Sequence, residues 1–446
     1  MAIHGDRQPR VLLVNPWIHD FAAFDFWARP LGLLVLGAVL EKAGAPVRLL
    51  DLTDPVSPFL PEAAKPRRSR PGAGKFAAQR IPQPAPLPHI ERHYRRYGLP
   101  PEAADAAAAE FEVPDAVFVT SMMTYWYPGV AETISWIKRT WPGVPVVLGG
   151  VYATLLPEHA ARSTGADVVA TGGIEQCWNQ VTDITGISYD IGSETPPAAH
   201  HLNPTADSAP LITSRGCPFD CPYCGVKVIC RDFVAYDPQR VEEEVRQIVL
   251  DLGIHDIGIV DDAFLFNTSR ALDILDRIAS LETPVRLHAV SGLSCRGLTP
   301  EVARGMKKAG FATLRVGLET SDAARQSDWG GKVTTDEFEG AIAALREAGF
   351  AANQIGVYVL AGAPGQTRQE IETSVDTVLA RGVRPHLAEY SPVPGSQWFE
   401  AAQRSSPYDL AEPLFHNPTL MPCGGEEITQ AVMWEIKNRI NQQVAR

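Results

Sequence analysis

The 446-residue chain carries 52 acidic against 40 basic residues, a formal net charge of -12, with 45% hydrophobic and 21% charged residues. Such a balance describes an ordinary globular protein with core enough for two or three domains, and disfavours general nucleic-acid binding, which needs a basic surface. No unbroken apolar run is long enough to span a bilayer, and residues 1–10 are too polar for a secretory leader. Seven cysteines, three of them clustered, are the pattern of a reducing compartment with a metal site, so a cytoplasmic protein is expected.

In chain order, residues 10–15 form a short apolar run ending in Asn15-Pro16, which predicts a buried parallel strand. A helix over 31–42, stopped by Gly44, and a strand over 47–51 complete a βαβ unit. Strands over 116–121, 144–148 and 167–170, with a helix over 130–140, continue the alternation. Gly149-Gly150 and Gly172-Gly173 follow the last two strands. A doubly wound Rossmann-like α/β domain over 1–185 is expected, with ligands at the strand C-termini.

The domain is interrupted over 54–114. Lys65, Arg67, Arg68, Arg70, Lys75 and Arg80 lie there among Pro and Ala, with no acids beside them. The composition fits a solvated, poorly ordered insertion. The alternative is a lid or a docking surface for an acidic partner or phosphorylated substrate. Aromatic and basic residues interleave over 89–97, so that stretch is expected to order against the body.

Residues 186–208 hold turn formers without a period and read as a linker. Beyond them βα alternation restarts, with strands over 211–214, 256–260, 285–289, 313–318, 354–360 and 386–390. Between them lie helices over 238–252, 269–281, 335–348 and 371–381, and a helix opened by Thr299-Pro300. Asp237 before Pro238 and the box Thr367-Arg368-Gln369-Glu370 are helix starts. Six such strands over 209–396 fit a partial (β/α)6 TIM-like barrel, with active groups after strand ends. The extension 397–446 is irregular until a final amphipathic helix over 427–444, expected across the barrel or at its open edge.

The first of these strands runs into Arg215-Gly216-Cys217-Pro218-Phe219-Asp220-Cys221-Pro222-Tyr223-Cys224, three thiols at C-x3-C-x2-C spacing. Close thiolates on a tight loop suit an iron–sulfur cluster, and three of them leave one iron of a four-iron cluster open. A zinc site completed by Cys230, or three unrelated thiols, are the alternatives. Cys230, Cys295 and Cys423 are scattered and otherwise read as small buried hydrophobes.

This spacing, the aromatic before the third Cys and the following βα series resemble the radical S-adenosylmethionine (SAM) superfamily over about 210–396. The resemblance implies that Cys217, Cys221 and Cys224 hold a [4Fe-4S] cluster whose open iron is chelated by SAM. One electron, from a donor such as flavodoxin or ferredoxin, then cleaves SAM to a 5′-deoxyadenosyl radical that takes hydrogen from substrate. Tyr223 matches an aromatic against adenine, and Asp261 and Asp262 the contact to the SAM amino group. Glu319, in Gly317-Leu318-Glu319-Thr320, matches the acid that binds ribose, and Ser291 is a candidate for the carboxylate.

The N-terminal domain is similar to the cobalamin-binding module that precedes many radical SAM domains, on Asn15-Pro16, Pro30-Leu31-Gly32, Ser121-Met122-Met123 and Gly149-Gly150-Val151-Tyr152-Ala153-Thr154. Gly149 and Gly150 would admit close approach of a ligand, and Ser121, Tyr152 and Thr154 would bond a nucleotide tail. The D-x-H-x-x-G element that supplies a cobalt-ligating His is absent, as in many such enzymes; His19 reads as a solvated loop residue in preference to a ligand. Glu175, in Gly172-Gly173-Ile174-Glu175, departs from the family's pattern after the fifth strand.

The resemblance implies cobalamin-dependent C-methylation of a small-molecule substrate, with oxidative cyclisation or ring rearrangement as the enzymatic alternative. A methylthiotransferase would need three more upstream cysteines, and only Cys177 precedes the motif. An iron–sulfur or SAM-binding sensor is the non-catalytic alternative. The aromatics over 17–27 and Tyr125-Trp126-Tyr127 read as packing first and as an apolar cavity lining second, which leans towards an apolar substrate.

Overall fold

The computed structural model describes residues 8–88, 90–191 and 195–444. The leader reading of residues 1–7 and the place of His89 lie outside these. The chain forms two compact units, one ending at Pro210 and taking in Asp251–Ile254, the other made of Leu211–Leu250 and the chain from His255 onward.

The first unit is built on a five-stranded parallel sheet in the order Val168–Val169, Val146–Leu148, Ala116–Val119, Val11–Asn15, Val47–Asp51. Alternation along the strands explains why both faces are covered. Leu12, Val14, Val117 and Val119 enter one core, while Val11, Leu13, Ala116 and Phe118 enter another on the opposite face. Strand order reverses beside Val11–Asn15, the position at which a doubly wound sheet opens a crevice at its strand ends.

The expectation of a poorly ordered insertion is corrected. Ile18–Asp20, Arg95–Tyr97 and Ala78–Arg80 make one small antiparallel sheet, and Phe24–Phe26, Ala73–Lys75 and Arg68–Arg70 another. Leu60, Ala77, Leu99 and the helix Pro101–Ala108 add apolar side chains to the first core. The partners of Arg68 and Arg96 are distant in sequence, which is why composition hid them. Arg68 pairs with Asp25 at 2.9 Å and with Asp207, and Arg96 donates to Glu132 at 3.1 Å. Buried Arg29 pairs with Asp54 at 2.8 Å, where the insertion begins.

The second large sheet follows chain order, its first strand running across the division at Pro210: Ala209–Leu211, Asp256–Ile259, Arg286–Ala289, Phe311–Glu319, Ile355–Ala361, Arg384–Glu389. From Asp256 onward the ladders are parallel. Helices between successive strands make this a partial (β/α)6 arrangement, open among the described residues, since no ladder joins the first strand to the last. The helix expected over 238–252 is α-helical at Pro238–Arg246 and continues as a π turn, Gln247–Asp251. The final helix, Gln430–Val444, packs Met433, Ile436 and Ile440 with Ile371 and Val375, beside the last strand. No helix of the described residues is long and apolar enough to cross a membrane.

Candidate functional site

The cysteine loop is pinned at its base. Ser214–Arg215 pairs antiparallel with Val234–Ala235. Gly216 has φ +74°, and a Cβ there would lie 2.3 Å from the Asp232 carbonyl, so no other residue fits that turn. Asp261 is the clamp beneath it. Its carboxylate accepts from Thr213 N at 2.7 Å, Thr213 Oγ1 at 2.6 Å and Ser214 Oγ at 2.6 Å. Burial pushes its pKa to about 6 against those hydrogen bonds. This corrects the expectation for Asp261. Buried and bonded inward through both oxygens, it positions the loop.

Asp262, the next residue, faces the loop instead. The Gly216 N–H bonds to it; burial raises its pKa while Lys332 draws it down, and its charge is felt at Cys217 and Cys224. All three cysteines of the motif are free thiols. Cys224 N donates to the Cys221 carbonyl at 3.0 Å, and Val226 N donates to Cys224 Sγ at 3.5 Å. The Tyr223 hydroxyl bonds the Cys221 thiol, while its ring packs at 6.4 Å from Trp329 and 5.5 Å from Trp398. Burial pushes the Cys221 thiol up to about 11, with Lys332 opposing. Among the described residues no three His, Cys, Asp or Glu are arranged to hold a single metal ion. Cys230, the candidate fourth zinc ligand, donates to the Asp232 carbonyl at 3.3 Å.

Glu319 ends its strand with φ +63°, a rare conformation outside glycine. The ladder to Ile355–Ala361 shifts register between Gly317 and Glu319. A bulge re-aims the side chain that follows it. Glu319 and Lys332 both come beside Gly317: a Cβ there would meet Glu319 Oε1 at 3.0 Å and Lys332 Nζ at 3.8 Å. Burial raises the Glu319 pKa, and Lys332 restrains it. Burial opposes the Lys332 charge, yet Glu319, Cys221, Cys217 and Cys224 together hold its pKa above the ordinary value. One ammonium is therefore central to all three thiols and to both acids. Lys332 is a site residue that sequence reading missed; the only signal was Gly330-Gly331 before it. Gly330 has φ +98°, and a Cβ there would come 3.0 Å from Cys221 Cα. Ser291 donates to the Val260 carbonyl at 3.3 Å, and Cys295 to the Gly317 carbonyl at 3.3 Å.

This donor set fits an iron–sulfur cluster carrying a zwitterionic ligand. Three soft sulfurs receive hydrogen bonds, which tune such clusters, and acids and a cation stand beside them for an amino group and a carboxylate.

In the first unit the predicted nucleotide-contact residues hold the strand-end loops to one another. Ser121 Oγ donates to the Gly149 carbonyl at 2.6 Å and accepts from Ala153 N at 3.2 Å. Thr154 Oγ1 donates to the Gly150 carbonyl at 2.9 Å and accepts from Gly172 N at 3.0 Å. Tyr152 is fully buried and bonds His159 Nδ1 at 2.6 Å, so its assignment to a nucleotide tail is corrected. Gly150 has φ +92°, and a Cβ there would strike the Ser121 carbonyl at 2.3 Å. Around Gly149 the space is open, its nearest neighbour being the Ala170 carbonyl at 3.9 Å. Met122 and Met123 are exposed on the same edge, 46% and 40%. An open, partly apolar strand-end edge fits a large flat cofactor. His19 is also corrected: it is a buried strand residue with Nε2 2.7 Å from Glu132, not a solvated one.

Two family models match, the Radical SAM superfamily at residues 211–378 and the B12 binding domain at 91–176. Over 327 residues the chain is 27% identical to an uncharacterised methyltransferase of Pyrococcus horikoshii, covering 65% of this chain and 69% of that one. It is 23% identical over 217 residues to the anaerobic magnesium-protoporphyrin IX monomethyl ester cyclase of Cereibacter sphaeroides, covering 47% of this chain and only 34% of the cyclase. Two solved structures of the radical SAM methyltransferase TsrM from Kitasatospora setae share its fold at 18% identity. One holds tryptophan and the SAM analogue aza-SAM (TM-score 0.65), the other cobalamin and a [4Fe-4S] cluster (0.64); each covers 90% of this chain, and 77% and 75% of TsrM.

Proposed function

We propose, from the premise that this chain is a radical SAM enzyme with a B12-binding domain ahead of its cysteine loop, that it methylates a carbon of a small, apolar substrate. The observation that carries the site assignment is the gathering of Cys217, Cys221, Cys224, Asp262 and Glu319 around Lys332. Cys217, Cys221 and Cys224 would hold the [4Fe-4S] cluster. When bound, the cluster supplies an electron to SAM and cobalamin supplies the methyl group. Asp262 presents a carboxylate to the SAM amino group and Glu319 to the ribose hydroxyls. Lys332 offers the SAM carboxylate a pre-charged partner, a role Ser291 shares with one hydroxyl. Tyr223 buttresses Cys221, and Asp261 with Arg270 fixes the base of the loop.

Cobalamin would rest on the edge formed by Gly149 and Met122–Met123. Asn15, bonded to Asp51 at 2.7 Å, and buried His19, paired with Glu132, are committed within the protein and would not serve as cobalt ligands. Similarity to a cyclase keeps oxidative cyclisation as a second reading. The test is anaerobic reconstitution with iron, sulfide and hydroxocobalamin, then incubation with SAM and reductant. Retained cobalamin absorbance, with 5′-deoxyadenosine and S-adenosylhomocysteine both formed in the presence of an apolar substrate panel, is the expected result. Deoxyadenosine without S-adenosylhomocysteine favours the cyclase reading. A cluster that yields neither product marks a sensor.

A further inference from the structure

Two sets of cations stand out in the insertion. Lys65, Arg68 and Arg96 are paired with Glu62, Asp25 and Glu132. Lys75, Arg80, Arg92, His93 and Arg95 make no ion pair among the described residues.

Four of the second set, Arg80 excepted, are assembled in one place. A hollow of about 370 Å3 lies between the two small sheets, with Lys75, Arg92, His93 and Arg95 on its walls and Glu91 as its lining acid. Phe24 lies directly across the ladder from Lys75 and is 60% exposed, on the same rim. Arg95 lies across from Arg80 on one side, two like charges that weaken the sheet that holds them. On its other side it faces Asp20, whose carboxylate is buried and bonded to Trp126 Nε1 at 2.7 Å. A patch in which cations outnumber acids, with an exposed ring at its edge, is unexpected on a chain of net charge -12. Neither solubility nor packing asks for it.

We propose that this face docks an acidic protein segment that inserts an apolar side chain beside Phe24 and surrounds it with carboxylates. An aromatic anchor within a charged, solvent-exposed rim is the usual anatomy of a specific protein interface, and opposite charge accelerates the encounter. A nucleic acid is the less favoured occupant. Its phosphates call for a long basic track, whereas these cations ring a single hollow.

The experiment measures binding of the full-length protein to a fluorescent random Glu-Tyr copolymer, to poly-Glu and to a single-stranded RNA oligonucleotide, at low and physiological salt. The expected result is that the Glu-Tyr copolymer binds more tightly than poly-Glu. Arg92→Glu with Arg95→Glu should weaken it about tenfold, with a shallower salt dependence. Phe24→Ser should erase only the advantage of the copolymer over poly-Glu. All three positions are surface residues remote in sequence from the cysteine loop, so deoxyadenosine formation by the variants should match the unaltered protein. The proposal is overturned if the copolymer does not bind, if the charge reversal leaves binding unchanged, or if RNA binds as tightly through the same arginines.

Discussion

Lys332→Met is the perturbation that most sharply separates a SAM site from a merely structural cysteine loop. Glu319 Oε1 and Lys332 Nζ lie 3.0 and 3.8 Å from one common point beside Gly317. At a separation of about 7 Å or less, and an effective dielectric of about 20, their attraction is worth about 2 kcal/mol or more. Removing the ammonium leaves Glu319 buried without its counter-charge, so its pKa rises further and its ionised form is depleted. The SAM carboxylate loses its partner at the same time. Truncating one member of a buried charge pair costs about 2–4 kcal/mol, which corresponds to about 30- to 700-fold weaker SAM binding. Iron and sulfide content should stay at the unaltered level, because the thiols are intact. Lys332→Arg should recover part of the affinity. The assay is equilibrium dialysis of SAM against anaerobically reconstituted protein. A Lys332→Met protein that keeps its cluster and binds SAM within threefold of the unaltered protein would refute the assignment.

Three further outcomes follow from the geometry. Asp261→Asn should remove a pH dependence of stability. Because the folded pKa is raised from 3.8 to about 6, the stabilising contribution is complete below pH 3.8 and is lost as pH rises through 6. Denaturant melts at pH 4 and pH 7 should therefore show the unaltered protein losing about 2.4 kcal/mol more than the variant. Gly150→Ala should destabilise the first unit by about 1–3 kcal/mol, read as a lower melting midpoint, and reduce cobalamin retention, since its Cβ meets the Ser121 carbonyl at 2.3 Å. Any single Cys217, Cys221 or Cys224→Ala change should abolish the cluster absorbance, whereas Cys230→Ala should leave it intact.

Much of this was legible in the chain, for physical reasons that differ by element. The parallel strands announce themselves as short apolar runs because both faces of each sheet are buried. Thr367 and Glu370 form the capping box their spacing implies. The cysteine loop is local, so its spacing is its geometry. What depends on contacts between distant residues was not legible. The insertion looked solvated because the acids that pair Arg68 and Arg96 stand far away in the chain, at Asp25, Asp207 and Glu132. Asp261 and Asp262 are equivalent as letters, but in the turn after the strand Asp256–Ile259 one faces Thr213 and Ser214 and the other the thiols. Lys332 has no motif at all and acquires its place only because Gly330 lets the chain pass against Cys221. Ser121 and Thr154 were read as ligand contacts because hydroxyls at strand ends serve either purpose; here they tie Gly149, Gly150 and Gly172 together.

The most direct measurement is the low-temperature EPR spectrum of the reduced, reconstituted protein, cobalamin omitted, recorded with and without SAM. If the three thiols hold a cluster with an open iron beside Asp262, Glu319 and Lys332, a four-iron signal is expected whose shape changes on adding SAM. That change should be lost in Lys332→Met while the signal itself remains. A cluster signal indifferent to SAM in the unaltered protein would contradict the account.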